Sequence, residues 1–146
     1  MILGFKTKFP WGEPTRFPEK ILAGIKIHTM RFDNNGRWEE GRKIQFATGV
    51  RTKNYHQFAS GIVKEKVSVI ILPQIRSVRI TWGSFLYGKP RILYDKEMEQ
   101  FAINDGFDSV DDFFRWFKVQ ELLDLIIWDQ PLLFDKKHLE LIKKEM

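Results

Sequence analysis

Between Gln57 and Leu72 the chain is rich in β-branched residues, especially at Val63 and over residues 67–71. Such side chains are stiff at χ1 and suit a pleated, half-buried surface better than a helix. The stretch has room for one or two strands, and Pro73 interrupts it because proline brings no N–H to a ladder. A chain built around it needs partner strands, and both flanks supply candidates. Residues 2–9 alternate, with Ile2, Gly4, Lys6 and Lys8 against Leu3, Phe5, Thr7 and Phe9. Residues 43–50 set Ile44, Phe46 and Thr48 against Lys43, Gln45 and Ala47. Residues 76–82 set Ser77, Arg79 and Thr81 against Val78, Ile80 and Trp82, and residues 91–94 read as a further short strand. Pro10-Trp11-Gly12-Glu13-Pro14, Asp33-Asn34-Asn35-Gly36 and Glu40-Gly41 are turn or loop chemistry between them.

Helical spacing appears early and then again late. Thr15 can cap a short helix over 16–23, which tolerates Pro18 in its first turn and stops at Gly24. Met98, Phe101, Ala102 and Asp105 fall at i, i+3, i+4 and i+7 before Gly106, which predicts a helix over 96–104. Ser109 with Asp112 three residues on caps a second, over 110–118, with Val110, Phe113, Phe114 and Phe117 as its apolar side. The apolar run 122–128 fits either a helix or a last strand, and Asp135 can cap a terminal helix over 136–144. Short strands with helices inserted early and grouped late predict an α+β fold, a mixed sheet curled toward a barrel. With no repeat and no linker, residues 1–146 read as one domain.

Composition narrows the function classes. Thirteen Phe and five Trp predict an aromatic-rich core. The absence of Cys excludes disulfides and thiolate chemistry and fits a cytoplasmic location. No stretch has the form of a signal peptide or the length of a membrane span, so no membrane association is expected. The net charge of +5 gives a modest bias toward polyanions, without any dense Lys/Arg block. His28, His56 and His138 are scattered at spacings unlike a metal site, and there is no phosphate-binding glycine loop. Neither a metal nor a cofactor is expected.

The segment Gly24-Ile25-Lys26-Ile27-His28-Thr29-Met30-Arg31 follows the first helix and mixes an amine, an imidazole, a hydroxyl and a guanidinium with apolar neighbours. Lys26 is a surface lysine if it points outward. If it points inward, burial lowers its pKa and makes a neutral amine available as base or nucleophile. Thr29, three residues on, shares a face with Lys26 only if the backbone bends after Gly24. Asp105 falls on the buried side of its helix near the C-terminus, where the macrodipole disfavours an anion. It therefore calls for a cation, Lys26 or Arg31, unless it is simply solvated at the turn. Arg51 and Lys53 share a face if extended and can cradle a phosphate or a base carbonyl. Trp11 and Tyr55 lie in loops where they can stack on a base, although Trp11 can equally plug one end of the core. Arg31 can bind phosphate or take part in an ion pair.

Gly-x-Lys-x-x-Thr-x-Arg after a short helix resembles the ASCH domain of the PUA-like group. So does the later stretch Ala102-Ile103-Asn104-Asp105-Gly106-Phe107 with Ser109 and Asp111-Asp112-Phe113-Phe114. The resemblance implies a small PUA-like β-barrel with helices packed outside. It also implies one of two functions. The first is an amidohydrolase acting on N-acylated pyrimidine nucleosides such as N4-acetylcytidine, with Lys26, Thr29 and Asp105 as the catalytic set. An acidic residue, usually glutamate, aligns at position 105 in those enzymes. Arg31, Arg51, Lys53, Trp11 and Tyr55 would then hold the ligand. The second is a non-enzymatic module that binds single-stranded RNA or a modified base.

Overall fold

The computed structural model describes residues 1–133. The expected terminal helix over 136–144 and its cap Asp135 lie outside these residues. In chain order the elements are β1 (Ile2–Phe5), α1 (Phe17–Leu22), β2 (His28–Arg31), β3 (Lys43–Thr48), β4 (His56–Leu72), β5 (Ser77–Ile80) and β6 (Arg91–Leu93). There follow α2 (Asp95–Asn104), α3 (Val110–Trp116), β7 (Glu121–Trp128) and β8 (Leu132–Leu133). A single turn of 3-10 helix, Pro73–Ile75, ends β4.

The β-branched stretch forms one strand, β4, which pairs with four others. Its first half runs antiparallel to β3 and touches β8. Its second half lies between β5 and β7. The register against β7 shifts between Val63 and Glu65, leaving an extra residue on β4. Such a bulge bends the strand and strengthens its twist, so one strand serves two differently oriented stretches of sheet. β1 adds to β3 in parallel, β6 adds to β5, and β2 adds to the far side of β7.

The run 122–128 is thus a strand. Its second half reads as continuously apolar because β7 is flanked by β2 and β4 and buried there on both faces: Leu125, Ile126, Ile127 and Trp128 are all in the core. Period alone does not separate such a strand from a buried helix.

The mixed α+β class is as expected. The barrel is not closed by hydrogen bonds: among the described residues β1 pairs only with β3, and β2 only with β7. Where closure would join β1 to β2, Arg31 Nη2 instead donates to Gly4 O at 2.6 Å, and a cavity occupies the seam.

The helices sit close to where their spacing placed them, but Thr15 is not the cap of α1: the N-cap is Arg16, at φ 57°, with no side-chain cap, and Thr15 precedes it. α1 carries Pro18 in its first turn, and Gly24 follows it at φ +75°. Thr15 Oγ1 accepts from Phe17 N at 3.3 Å and itself donates to Lys6 O at 2.7 Å. Ser109 caps α3 by accepting from Asp112 N at 3.1 Å. α1 and α3 meet in an aromatic cluster. Phe107 lies 5.8 Å from Phe9, 6.0 Å from Phe17, 5.3 Å from Phe113 and 5.9 Å from Trp116 between ring centroids. The cluster forms one wall of the seam.

Candidate functional site

The seam cavity has a volume of about 620 Å³ and is lined by Lys26, Thr29, Arg31 and Asp105. Its walls include Phe5, Phe17, Phe107 and Trp116, and Lys6 and Lys8 stand on the β1 side. The residues of the seam come from three elements brought together locally. Lys26 lies in the link between α1 and β2, Thr29 and Arg31 on β2, and Asp105 at the end of α2. The link is pinned to α2 by Ile27 N donating to Asn104 O at 2.8 Å. The chain is not yet regular strand at Lys26, so Lys26 and Thr29 face one cavity despite an offset that would separate them on an ideal strand.

Lys26 is 2% exposed. Its Nζ donates to His28 O at 2.8 Å and to Asp105 O. It also lies 4.7 Å from the centre of the Phe17 ring and 5.6 Å from that of Phe5. Among the described residues no carboxylate lies within 4.0 Å of it. Burial brings its pKa down from 10.5 to about 8. The charge on Asp105 opposes that shift, and Arg31 and Lys20 add to it. A neutral amine has two N–H groups for the two carbonyls and keeps a lone pair. Thr29 is also buried, and its hydroxyl makes no hydrogen bond to the described residues.

Asp105 is buried, as its helical position required, but its carboxylate takes neither expected cation. Oδ1 lies 2.9 Å from His28 Nδ1, and only the main-chain carbonyl of Asp105 reaches Lys26. His28 Nε2 lies 2.5 Å from Tyr87 Oη. Asn104 Nδ2 donates to that same hydroxyl at 3.0 Å, and Gln100 Nε2 donates to Asn104 Oδ1 at 2.8 Å. One assignment satisfies every member. Each group donates toward Asp105: Gln100 to Asn104, Asn104 to Tyr87, Tyr87 to His28 Nε2, and His28 Nδ1–H to the carboxylate. It requires a neutral imidazole and a protonated phenol. Burial lowers the His28 pKa, against the hydrogen bond and charge of Asp105, and raises that of Tyr87.

Sequence reasoning missed this chain. The spacing of His28 marks it only as a histidine outside any metal motif, and Tyr87 lies 59 residues away on the connection between β5 and β6. The available signal was the position of His28 itself, between Lys26 and Thr29 in a segment whose faces are both partly polar.

The remaining candidates divide. Arg31 lines the seam. Arg51 and Tyr55 do not: they border a second cavity of about 550 Å³ with Arg37 and Gln45, and Val50 borders both cavities. Lys53 is exposed and lines neither. Trp11 is not a free stacking platform. Its ring stacks on Phe9 at 4.6 Å and carries the Arg115 guanidinium at 4.3 Å, so it closes one end of the aromatic cluster.

No protein-family model matches the chain, and no curated protein matches it. Among solved structures, it is similar to ASCH from Zymomonas mobilis, at 11% identity and a TM-score of 0.50 over 99% of this chain and 79% of that one. A point-mutant form of the Zymomonas mobilis protein aligns at 10% identity and a TM-score of 0.48, over 99% of this chain and 81% of that one. At such identity the likeness concerns the backbone alone, and the fold of this chain is that of the ASCH domain.

Proposed function

We propose that this protein is a small amidohydrolase acting on N-acylated pyrimidine nucleosides such as N4-acetylcytidine. One observation carries the reading: a buried lysine amine, held by two main-chain carbonyls, shares a cavity with a threonine hydroxyl that has no hydrogen-bond partner among the described residues. Its lowered pKa leaves a useful fraction of neutral amine near neutral pH.

Hydrolysis breaks the acyl C–N bond and forms a C–O bond; water supplies the hydroxyl to the acyl carbon and a proton to the amine that leaves. Neutral Lys26 takes the proton from the attacking hydroxyl, that of Thr29 or of water, and returns it to the departing nitrogen. If Thr29 attacks, the acyl-threonine formed is then cleaved by water. The Arg31 guanidinium, which also lines the cavity, helps to hold the ligand. Asp105 is a positioning residue in this scheme. Its carbonyl orients the amine, and its carboxylate, engaged by His28, does not lock Lys26 into a charged ion pair.

The test is conversion of N4-acetylcytidine to cytidine by the purified protein, beside Lys26→Ala and Thr29→Ala. Each substitution is expected to lower the rate by about a hundredfold or more, as removal of a general base or a reacting hydroxyl does. Turnover that survives Lys26→Ala sinks the mechanism, and no turnover of any acylated cytidine sinks the function.

A second reading, a module binding single-stranded RNA, is motivated by a second cavity beside the seam, bordered by Arg37, Arg51 and Tyr55, with Val50 lining both. RNA binding that weakens steeply between low and moderate salt would support it.

A further inference from the structure

We propose that the seam is built for a nucleotide rather than a nucleoside, with a phosphate monoester held by Arg31 together with Lys6 and Lys8. The inference deepens the nucleoside reading above and rests on it for the base and sugar.

The first argument is unbalanced charge. Lys6, Lys8, Lys26 and Arg31 line the cavity against one carboxylate, Asp105, and that carboxylate is already bonded to His28. Buried charges in proteins are ordinarily paired. Among the described residues, neither Lys26 nor Arg31 has a carboxylate oxygen within 4.0 Å. An anion entering the cavity would supply the missing counter-charge.

The second argument is geometry. Arg31 Nη2 donates to Gly4 O, and its guanidinium lies 5.4 Å from the centre of the Phe5 ring. These contacts fix the side chain while its other N–H groups meet no acceptor among the described residues. A guanidinium held this way presents a fork suited to phosphate oxygens. Lys6 and Lys8 are exposed and both line the cavity, with Thr7 between them, on the segment that follows β1. The Lys6 amine sits 5.6 Å from the centre of the Trp116 ring, at the edge of the aromatic wall. Apolar rings on one side and cations on the other match a ligand with a flat base and a phosphate. The volume, about 620 Å³, lies within the span of small-molecule sites.

Titration calorimetry at low salt and neutral pH tests this with cytidine and cytidine 5′-monophosphate as probes. The nucleotide is expected to bind about tenfold more tightly or better, as charge-assisted hydrogen bonds to phosphate imply. The double substitution Lys6→Gln with Lys8→Gln should close most of that gap. The same change of charge at the exposed residues Lys89 and Lys96 should preserve it. Equal affinity for the two probes overturns the inference. So does a gap that persists without Lys6 and Lys8, or no binding of either probe at millimolar concentration. A pyrimidine oligonucleotide without terminal phosphate that displaces the nucleotide at lower concentration also overturns it, in favour of a polynucleotide. Hydrolysis is scored separately. Phosphate-dependent binding without deacylation leaves this inference and removes the hydrolase; equal deacylation and equal binding of acetylcytidine and its 5′-monophosphate do the reverse.

Discussion

Lys26 is held in the fold by carbonyl oxygens and ring faces, which tolerate a cation but do not neutralise it. The pKa falls from 10.5 in the unfolded chain to about 8 in the fold, so the protonated form is the one the fold disfavours. Below pH 8 the penalty is fully present; it is relieved as pH rises from about 8 toward 10.5. Stability should therefore rise over that window by about 3 kcal/mol on account of Lys26. The difference in urea midpoint between pH 7.5 and 9.5 should shrink in Lys26→Met, and an unchanged difference would show that the lysine titrates normally. The rate of deacylation should climb through about pH 8 for the same reason. His28 tunes that limb. Without its Nδ1–H the Asp105 carboxylate would be buried with no hydrogen-bond donor among the described residues and would act more strongly on Lys26, raising the amine's pKa. In His28→Leu the alkaline limb of the rate profile should move to higher pH, an outcome that mere loss of stability does not produce.

At the scale of elements, the junction of α2 with the link before β2 is what converts separate segments into one site. Gly106 makes the junction possible. It sits at φ +99°, and a Cβ there would stand 2.6 Å from Lys26 Cδ and 2.8 Å from Phe17 Cε1. Its carbonyl also accepts from Lys20 Nζ at 2.8 Å. Gly106→Ala combines a left-handed backbone strain with overpacking, so it should destabilise by about 2–4 kcal/mol. Because Lys26 is one of the two groups displaced, deacylation should fall further than that of a remote variant of equal stability, measured at a temperature where both are folded. Full activity in a folded Gly106→Ala protein would show that the contact with Lys26 is incidental.

Across the whole molecule, the cleft is the place where the sheet does not close. β4 pairs with strands on both its halves, β7 pairs with β2 on its far side, and two of the sheet's edge strands, β1 and β2, border the cavity. The aromatic cluster walls that opening by packing α1, α3 and the chain after β1 around Phe107. Phe107 is 3% exposed, so Phe107→Ala should cost about 3–5 kcal/mol by chemical denaturation. It should also weaken ligand binding in the fraction that folds, since the ring is part of the cavity wall. A loss below 1 kcal/mol would mean that the surrounding rings collapse into the space.

What the sequence determined by itself is what depends on near neighbours. The presence of α1, the start of α3, the stop at Gly24, the cap at Ser109 and the burial of Asp105 follow from spacing and from side-chain chemistry within a turn or two. The resemblance to the ASCH domain points to the family fold, though not to an open sheet in place of a closed barrel, and its two motifs bracket the link and the end of α2, where Lys26, Thr29 and Asp105 line one cavity. Tertiary structure alone decided who pairs with whom. The identity of β7 as a strand depended on its flanking partners, and the carboxylate of Asp105 found His28 rather than Lys26. Trp11 was absorbed by Phe9 and Arg115, while Arg51 and Tyr55 fell to a different cavity. Each of these outcomes is set by contacts between residues far apart in the chain. Their distances and burial exist only once the sheet has brought them together, and no local pattern encodes them.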